Sequence, residues 1–176
     1  VLENVFDPPS ISSVMRTCDA AGVQDIYVLP PKIPRHKKWG DKSSSSAAKW
    51  LTIHQFDPAE ECFSSLRKHY STILTTHLSS DAVSLHSIHF TKSIALVFGN
   101  EHEGVSEEIR KLADGNFIIP QDGIIRSLNI SVACAVTLYE AFRQKNNAGH
   151  YDHKKLDDVK IKSLLEEWGI DDNSEL

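Results

Sequence analysis

The stretch GIIRSLNISVACAVTLYEAFRQ, residues 123–144, joins a polar turn to a helix-forming run that is apolar on nearly every face. An ordinary surface helix buries one apolar stripe and wets the rest, so a run this greasy is expected to be buried on more than one side. Ser127 and Asn129 stand at the mouth of that helix. Two small hydrogen-bonding side chains at the end of a buried helix call for a reason.

Working outward, the elements alternate. FIIP (117–120) precedes the turn and reads as a strand. Before it, SEEIRKLAD (106–114) is a short helix with Glu107 and Glu108 in its first turn, where acidic groups suit the helix dipole. SIALVFG (93–99) is the near-continuous apolar run of a buried parallel strand, and STILTTHL (71–78) is a further strand. Nearer the start, SISSVMRTCDAAG (10–22) places Ile11, Val14, Met15 and Cys18 at helical spacing before Gly22. DIYVLP (25–30) and WLTIHQF (50–56) read as strands. Asp57-Pro58-Ala59-Glu60 has the form of a capping box with proline at the first helical position, opening a helix to about Tyr70. After Ala148 the composition turns polar, and KKLDDVKIKSLLEEWG (154–169) reads as an amphipathic helix. The expected organisation is an α/β domain over 1–148, a mainly parallel sheet flanked by helices, with a helical extension over 149–176.

Bulk properties narrow the class. The 176 residues, 40% hydrophobic and 24% charged, suit one globular domain. No apolar run approaches the roughly 18–20 residues that span a bilayer, and no signal peptide is evident, so a cytoplasmic protein is expected. Cys18, Cys62 and Cys134 are odd in number, and Cys18 and Cys134 sit in apolar helical patterns, as reduced core thiols do. The chain opens at Val1 on what reads as the end of a strand, and further sequence is expected before it. His150 and His153 flank Asp152, but no second ligand pair appears at zinc spacing, so a polar turn is expected there and no metal site. The formal net charge of −5 argues against a surface that coats nucleic acid generally. Residues 32–49 run the other way, with Lys32, Arg35, Lys37, Lys38, Lys42 and Lys49 against a lone Asp41. A solvated loop is one reading. With Trp39 inside the segment and Trp50 after it, phosphate contact and base stacking are another.

In parallel α/β sheets, ligands bind outside the carboxyl ends of the strands. Three polar segments fall there: ENVFDPPSISSVMR (3–16), FGNEHEG (98–104) and IPQDGIIRSLN (119–129). Gly99, Gly104 and Gly123 within them permit tight turns and close backbone approach to a ligand. There is no G-x-G-x-x-G fingerprint and no P-loop, so a nucleotide-dependent oxidoreductase is disfavoured.

SISSVMRTCDAAGV, LVFGNEHEGVSEE and IPQDGIIRSLNISVACAVTLYEAFRQ, in that order, resemble the motifs of the SpoU/TrmH family of S-adenosylmethionine-dependent RNA ribose 2′-O-methyltransferases, within the SPOUT superfamily. SSSSAAKW resembles a Ser/Thr-rich block that lies between the first two of them. The resemblance covers about residues 1–145. It implies an α/β domain whose C-terminal segment threads a loop to form a deep trefoil knot, a rare exception to the rule against knots. It also implies a homodimer. Knot and partner together would explain a helix apolar all round.

The same resemblance implies largely backbone contact between the cofactor and Phe98, Gly99, Ile119, Leu128 and Asn129. It points to Arg16, Glu101, Ser127 and Asn129 for chemistry. Arginine resists deprotonation, so charge-assisted contact with phosphate and the developing alkoxide suits Arg16 better than the role of base. Ser127 and Asn129 would orient ribose, phosphate or that arginine, and Glu101 would brace the pocket or the dimer interface. Lys37, Lys38, Lys42 and Arg126 are the candidate RNA contacts. His102, inside the second motif, is assigned no role. One departure stands out. Six positions before Arg16 the family carries Asn, and here Ser10 stands, which can cap a helix but lacks an amide donor, with Asn4 close enough in sequence to compensate. Gln121 replaces a common Met where contact is by backbone, with little expected effect.

The leading expectation is ribose 2′-O-methylation of tRNA, at a D-loop guanosine. The resemblance points to tRNA: the chain carries a C-terminal helical extension, as tRNA-acting relatives do, and shows no sign of the small rRNA-binding domain that many rRNA-acting relatives carry upstream. An rRNA ribose methyltransferase and a non-catalytic RNA-binding module are the alternatives.

Overall fold

The structure is a computed structural model, in which residues 1–30, 47–100, 102–125, 127–154 and 156–170 are described. Six strands carry the fold: β1 (Asp25–Val28), β2 (Thr52–Gln55), β3 (Thr72–Thr76), β4 (Val83–Ser84), β5 (Ile94–Val97) and β6 (Gly115–Ile118). They interleave with helices α1 (Pro8–Ala20), α2 (Ala47–Trp50), α3 (Ala59–Leu66), α4 (Glu107–Leu112), α5 (Ile130–Asn147) and α6 (Asp158–Trp168). β1 pairs with β2, and β4, β6, β3 and β5 pair in that order, every ladder parallel. Leu2 joins the two sets, bridging Val28 on one side and Phe98 on the other, also in parallel.

The two-residue alternation of the strands splits the core into two clusters, as burial on both faces of a parallel sheet requires. Ile26 and Val28 join Ile11, Val14, Met15, Phe98, Ile130 and Cys134 under α1 and α5. Tyr27 and Leu29 join Cys62, Phe63, Leu66, Val97 and Ile109 under α3 and α4. α1 packs on α5 across the first face. Cys18 of α1 and Cys134 of α5 meet there. Their hydrogen bond, helped by burial, holds the Cys134 thiol well above its usual range. In the second cluster, burial pushes the Cys62 thiol up to about 11. Both are inert core sulfurs.

Several sequence expectations need correcting at the level of caps and ends. α1 begins at Pro8, not at Ser10, and its cap is Asp7, whose Oδ2 accepts from the Ser10 backbone N–H at 3.0 Å and the Ser10 hydroxyl at 2.7 Å. Ser10 is therefore a buried donor inside the first turn, because the carboxylate three residues earlier outcompetes it for the cap. At α3 the N-cap position falls on Pro58, one residue later than the Asp57 expected, and the helix begins at Ala59. The helix runs to Leu66, followed by turn bonds up to Tyr70. α2, β4 and the 3-10 turn Leu85–Ser87 are elements the sequence pattern does not announce, each too short to carry a period.

The greasy helix differs most. Within this chain α5 buries a single stripe of Ile130, Cys134, Thr137 and Ala141, while Val132, Val136 and Tyr139 remain 46%, 40% and 53% exposed. The protomer supplies a cover for one face only. α6, capped by Asp157 and closed by Gly169 in the left-handed region, docks through buried Leu164. An edge-to-face pair between Trp168 and Trp50 holds its end, at a centroid distance of 5.6 Å.

Candidate functional site

A cavity of about 330 Å³ opens at the carboxyl ends of β3, β5 and β6 and against the start of α5. Three separated segments build it. Phe98 and Gly99 come from the end of β5, Ile119 follows β6, and Ser127 and Leu128 lie just ahead of α5. The floor is apolar, with Phe98 and Phe117 in an edge-to-face contact at 6.4 Å.

The loop after β5 is shaped by two glycines with different reasons. A Cβ on Gly99 would stand 2.2 Å from the Gly104 carbonyl carbon and oxygen, so the two limbs of the loop touch only because residue 99 has no side chain. Gly104 needs its positive φ of +69°, and a Cβ there would meet open space. Gly123 shows neither a positive φ nor a close protein neighbour.

Asn100 pins this loop. Its Oδ1 accepts from the backbone N–H of His102 at 2.8 Å and of Glu103 at 3.3 Å, while its carbonyl accepts from the Gly104 N–H at 2.8 Å. Its Nδ2 donates to the Asn4 carbonyl at 2.9 Å. One residue earlier, Glu3 is only 5% exposed and accepts from the Ser106 N–H at 3.0 Å, tying the same segment to the start of α4.

Of the residues singled out from sequence, Phe98, Gly99, Ile119, Ser127 and Leu128 line one cavity. Asn129 does not line it but caps α5, with Oδ1 accepting from the Ser131 N–H at 2.9 Å and from the Ser131 hydroxyl at 2.6 Å. Arg16 is exposed on α1 and is not among the lining residues. Glu101, Arg126, Lys37, Lys38 and Lys42 lie outside the described residues. Trp50, offered as a stacking platform, is engaged by Trp168 and by Lys49, whose ammonium sits 4.7 Å from the ring centroid.

Sequence reasoning missed the β3 wall: Thr76, His77 and Leu78 line the cavity. Their signal was weak, a polar strand end with no glycine. Arg110 of α4 reaches His77, Nη1 to Nε2, at 2.9 Å. Arginine can only donate, so His77 accepts at Nε2 and carries its proton on Nδ1. His102, assigned no role, also lines the cavity.

The site joins residues of the second and third motifs and the end of β3 in a pocket with an apolar floor, backbone groups at its rim and a helix amino end beside it. The sequence model of the SpoU rRNA Methylase family matches residues 1–139. A tRNA (guanosine(18)-2′-O)-methyltransferase of Thermus thermophilus is 38% identical over 170 residues, which span 96% of this chain and 86% of that protein. The crystal structure of an Aquifex aeolicus TrmH/SpoU tRNA modifying enzyme superposes with a TM-score of 0.87 at 33% identity, covering 95% of this chain and 84% of that one. An AdoMet-bound rRNA methyltransferase from Sinorhizobium meliloti superposes with a TM-score of 0.73 at 28% identity, over 81% of this chain and 54% of that one. With matching motifs, matching fold and a family match over most of its length, this chain belongs to the SpoU rRNA Methylase family.

Proposed function

We propose that the protein is an S-adenosylmethionine-dependent RNA methyltransferase acting on a ribose 2′-hydroxyl of tRNA, at a D-loop guanosine. One observation carries the reading: residues from three distant segments meet in a single cavity at the carboxyl ends of β3, β5 and β6. The cavity suits the cofactor. Ile119 and Leu128, over a floor of Phe98 backed by buried Phe117, offer apolar surface for a purine, and the Gly99–Gly104 loop brings bare backbone to the rim. Phe98, Gly99, Ile119, Leu128 and Asn129 are the proposed cofactor contacts, and the cofactor supplies a methyl group on a positively charged sulfur.

The rest falls to the chain. Transfer needs the ribose 2′-oxygen in line with that methyl group, so positioning dominates. Arg16 is proposed to hold an RNA phosphate and the oxygen as its proton leaves. Ser127 and Asn129, beside the amino end of α5, orient the ribose or the arginine, and Glu101 braces the site. Lys37, Lys38, Lys42 and Arg126 are the proposed RNA contacts.

Three further parts of the reading rest on the fold and family. The exposed Val132, Val136 and Tyr139 of α5 form the face of a homodimer. The C-terminal segment forms a trefoil knot, in keeping with the last helix of the domain, α5, packing on the first, α1. The cytoplasm, where tRNA is found, is the proposed location, with residues 149–170 as a helical extension on the methyltransferase domain.

The test is methyl transfer from labelled S-adenosylmethionine to unmodified tRNA and rRNA transcripts, followed by digestion to nucleosides. A 2′-O-methylguanosine from tRNA is the expected product. Label on rRNA alone would move the substrate assignment, and cofactor binding without transfer to either would make this a binding module.

A further inference from the structure

We infer that the Asn100 side chain and the Asn4 carbonyl form a clasp that couples the loop over the cofactor cavity to the helix carrying Arg16. The inference rests on the cavity being the cofactor site and Arg16 the RNA-facing group, as proposed above. It assigns a positioning role to residues outside the set read from the motifs.

The geometry is specific. Asn100 uses its two amide ends for two different jobs. Oδ1 gathers the N–H groups of His102 and Glu103 and so sets the shape of the cavity loop. Nδ2 crosses to a separate segment of chain and donates to Asn4 at 2.9 Å. Asn4 in turn has φ of +53°, the only positive φ of a non-glycine among the described residues. Its N–H donates to the Pro30 carbonyl at 3.1 Å, at the end of β1. Asn4 is thus held in an uncommon conformation by bonds to two strand ends at once.

The chain then leaves Asn4 for the Asp7 cap and enters α1. Arg16 lies eight residues past Pro8, roughly 12 Å along the helix axis at 1.5 Å per residue. A change in the turn at Asn4 is therefore carried to Arg16 by a rigid element. A ligand that orders residues 98–104 acts directly on that turn through the Asn100 Nδ2 donor, which aspartate lacks. Beside it, the Glu3 N–H donates to the Phe98 carbonyl and the Glu3 carboxylate accepts from the Ser106 N–H, bonds that either variant keeps.

Two variants separate the jobs. Asn100→Asp keeps an oxygen acceptor for the loop N–H groups and replaces the donor with an oxygen facing a carbonyl. Asn100→Ala removes both functions. Hydrogen–deuterium exchange without ligand provides the first readout: Asn100→Asp should speed exchange over residues 4–12 and leave 102–104 as in the wild type. Added S-adenosylmethionine should slow exchange in the wild type over both 98–104 and 8–16. In Asn100→Asp the first protection should remain and the second should shrink. In transfer assays its cofactor affinity should stay near that of the wild type while kcat drops by about tenfold to a hundredfold, the size expected of a misplaced reacting group. Asn100→Ala should lose cofactor affinity as well.

Unchanged exchange over 4–12 in Asn100→Asp overturns the clasp, as does remote protection undiminished by the substitution. An equal loss of affinity, kcat and thermal stability in Asn100→Asp also overturns it, since that pattern marks a residue that only holds the fold. A wild type that shows the ligand-free exchange pattern but transfers no methyl group to RNA would sink the proposed reaction and leave the clasp standing.

Discussion

Gly99 shows how little room one residue can have. A Cβ at this position would collide with backbone, not with the movable end of a side chain, so no rotamer change relieves it. Gly99→Ala is expected to part the two limbs of the loop, at a cost of about 1–3 kcal/mol typical of overpacking, and to weaken S-adenosylmethionine binding. Gly104→Ala should cost about 1–2 kcal/mol through its left-handed backbone alone, with binding less affected because the added methyl meets open space. Thermal denaturation and titration calorimetry on the two variants check the contrast. Arg16 makes the opposite case. It is exposed, so Arg16→Ala should leave the melting temperature within about 0.5 kcal/mol of wild-type stability. Cofactor affinity should also hold, while methyl transfer falls by about a hundredfold or more as an electrostatic contact at the reacting oxygen is lost. Equal loss of affinity and transfer would make Arg16 structural.

At the scale of elements, α5 is fastened to the loop after β4 by one amide. Gln144 Oε1 accepts from the Phe90 N–H at 2.9 Å, and its Nε2 donates to the Ile88 carbonyl at 3.0 Å and to Glu140 Oε1 at 2.8 Å. Arg143 grips the same carboxylate through Nε and Nη2 at 2.9 and 2.7 Å. The Arg143 guanidinium, then the Gln144 amide, hold Glu140 down to about 2. A carboxyl lowered on folding binds its proton more readily in the unfolded chain. Its contribution is therefore complete above about pH 4.5 and lost as pH falls toward 2. Arg143 is 61% exposed, so water screens the pair and its contribution is small. Glu140→Gln should slightly flatten the fall in melting temperature as pH drops from 4.5 toward 2. An unchanged acid limb would place the acid-sensitive groups elsewhere. Glu140 meets Arg143 and Gln144 at helical spacing, but the links to Ile88 and Phe90 could not be read from the sequence, because only folding brings them to Gln144. What was legible at this scale was strand order in the chain and helix identity, since period and apolar runs survive in a linear string. Helix starts were not, because a cap is a competition between neighbours: Asp7 displaced Ser10, and the N-cap position of α3 fell on Pro58, one residue after Asp57. The motif-borne residues of the cavity were legible, while Thr76 and His77 had no pattern to announce them, and Asn100, though inside the second motif, had none to single out its side chain.

For the whole molecule, the open question posed by residues 123–144 returns as a matter of area. Val132, Val136 and Tyr139 recur at spacings of four and three, which puts them on one face of α5, and all three are substantially exposed. Ile124, fully exposed, and Ile125, at 75%, stand on the approach to the same helix. An apolar stripe this regular is costly in water and is the pattern expected of an interface. A second copy of the chain is the proposed cover, and a two-fold arrangement would place the stripe against its own counterpart. Val136→Glu puts a charge at the centre of that stripe, where paired copies would bring the two carboxylates together. Light scattering at micromolar concentration should then show the mass of one chain for the variant and of two for the wild type. The variant's α1–α5 packing uses the opposite face of the helix, through Cys18 and Cys134, so its isolated fold should remain. Cofactor affinity then decides what the partner does. If the monomer binds S-adenosylmethionine like the wild type, the pocket is complete within one chain, and any loss of transfer belongs to RNA engagement across the interface. If affinity falls with the mass, the partner supports the residues between Gln121 and Asn129, and the greasy helix serves the site as directly as it serves the dimer.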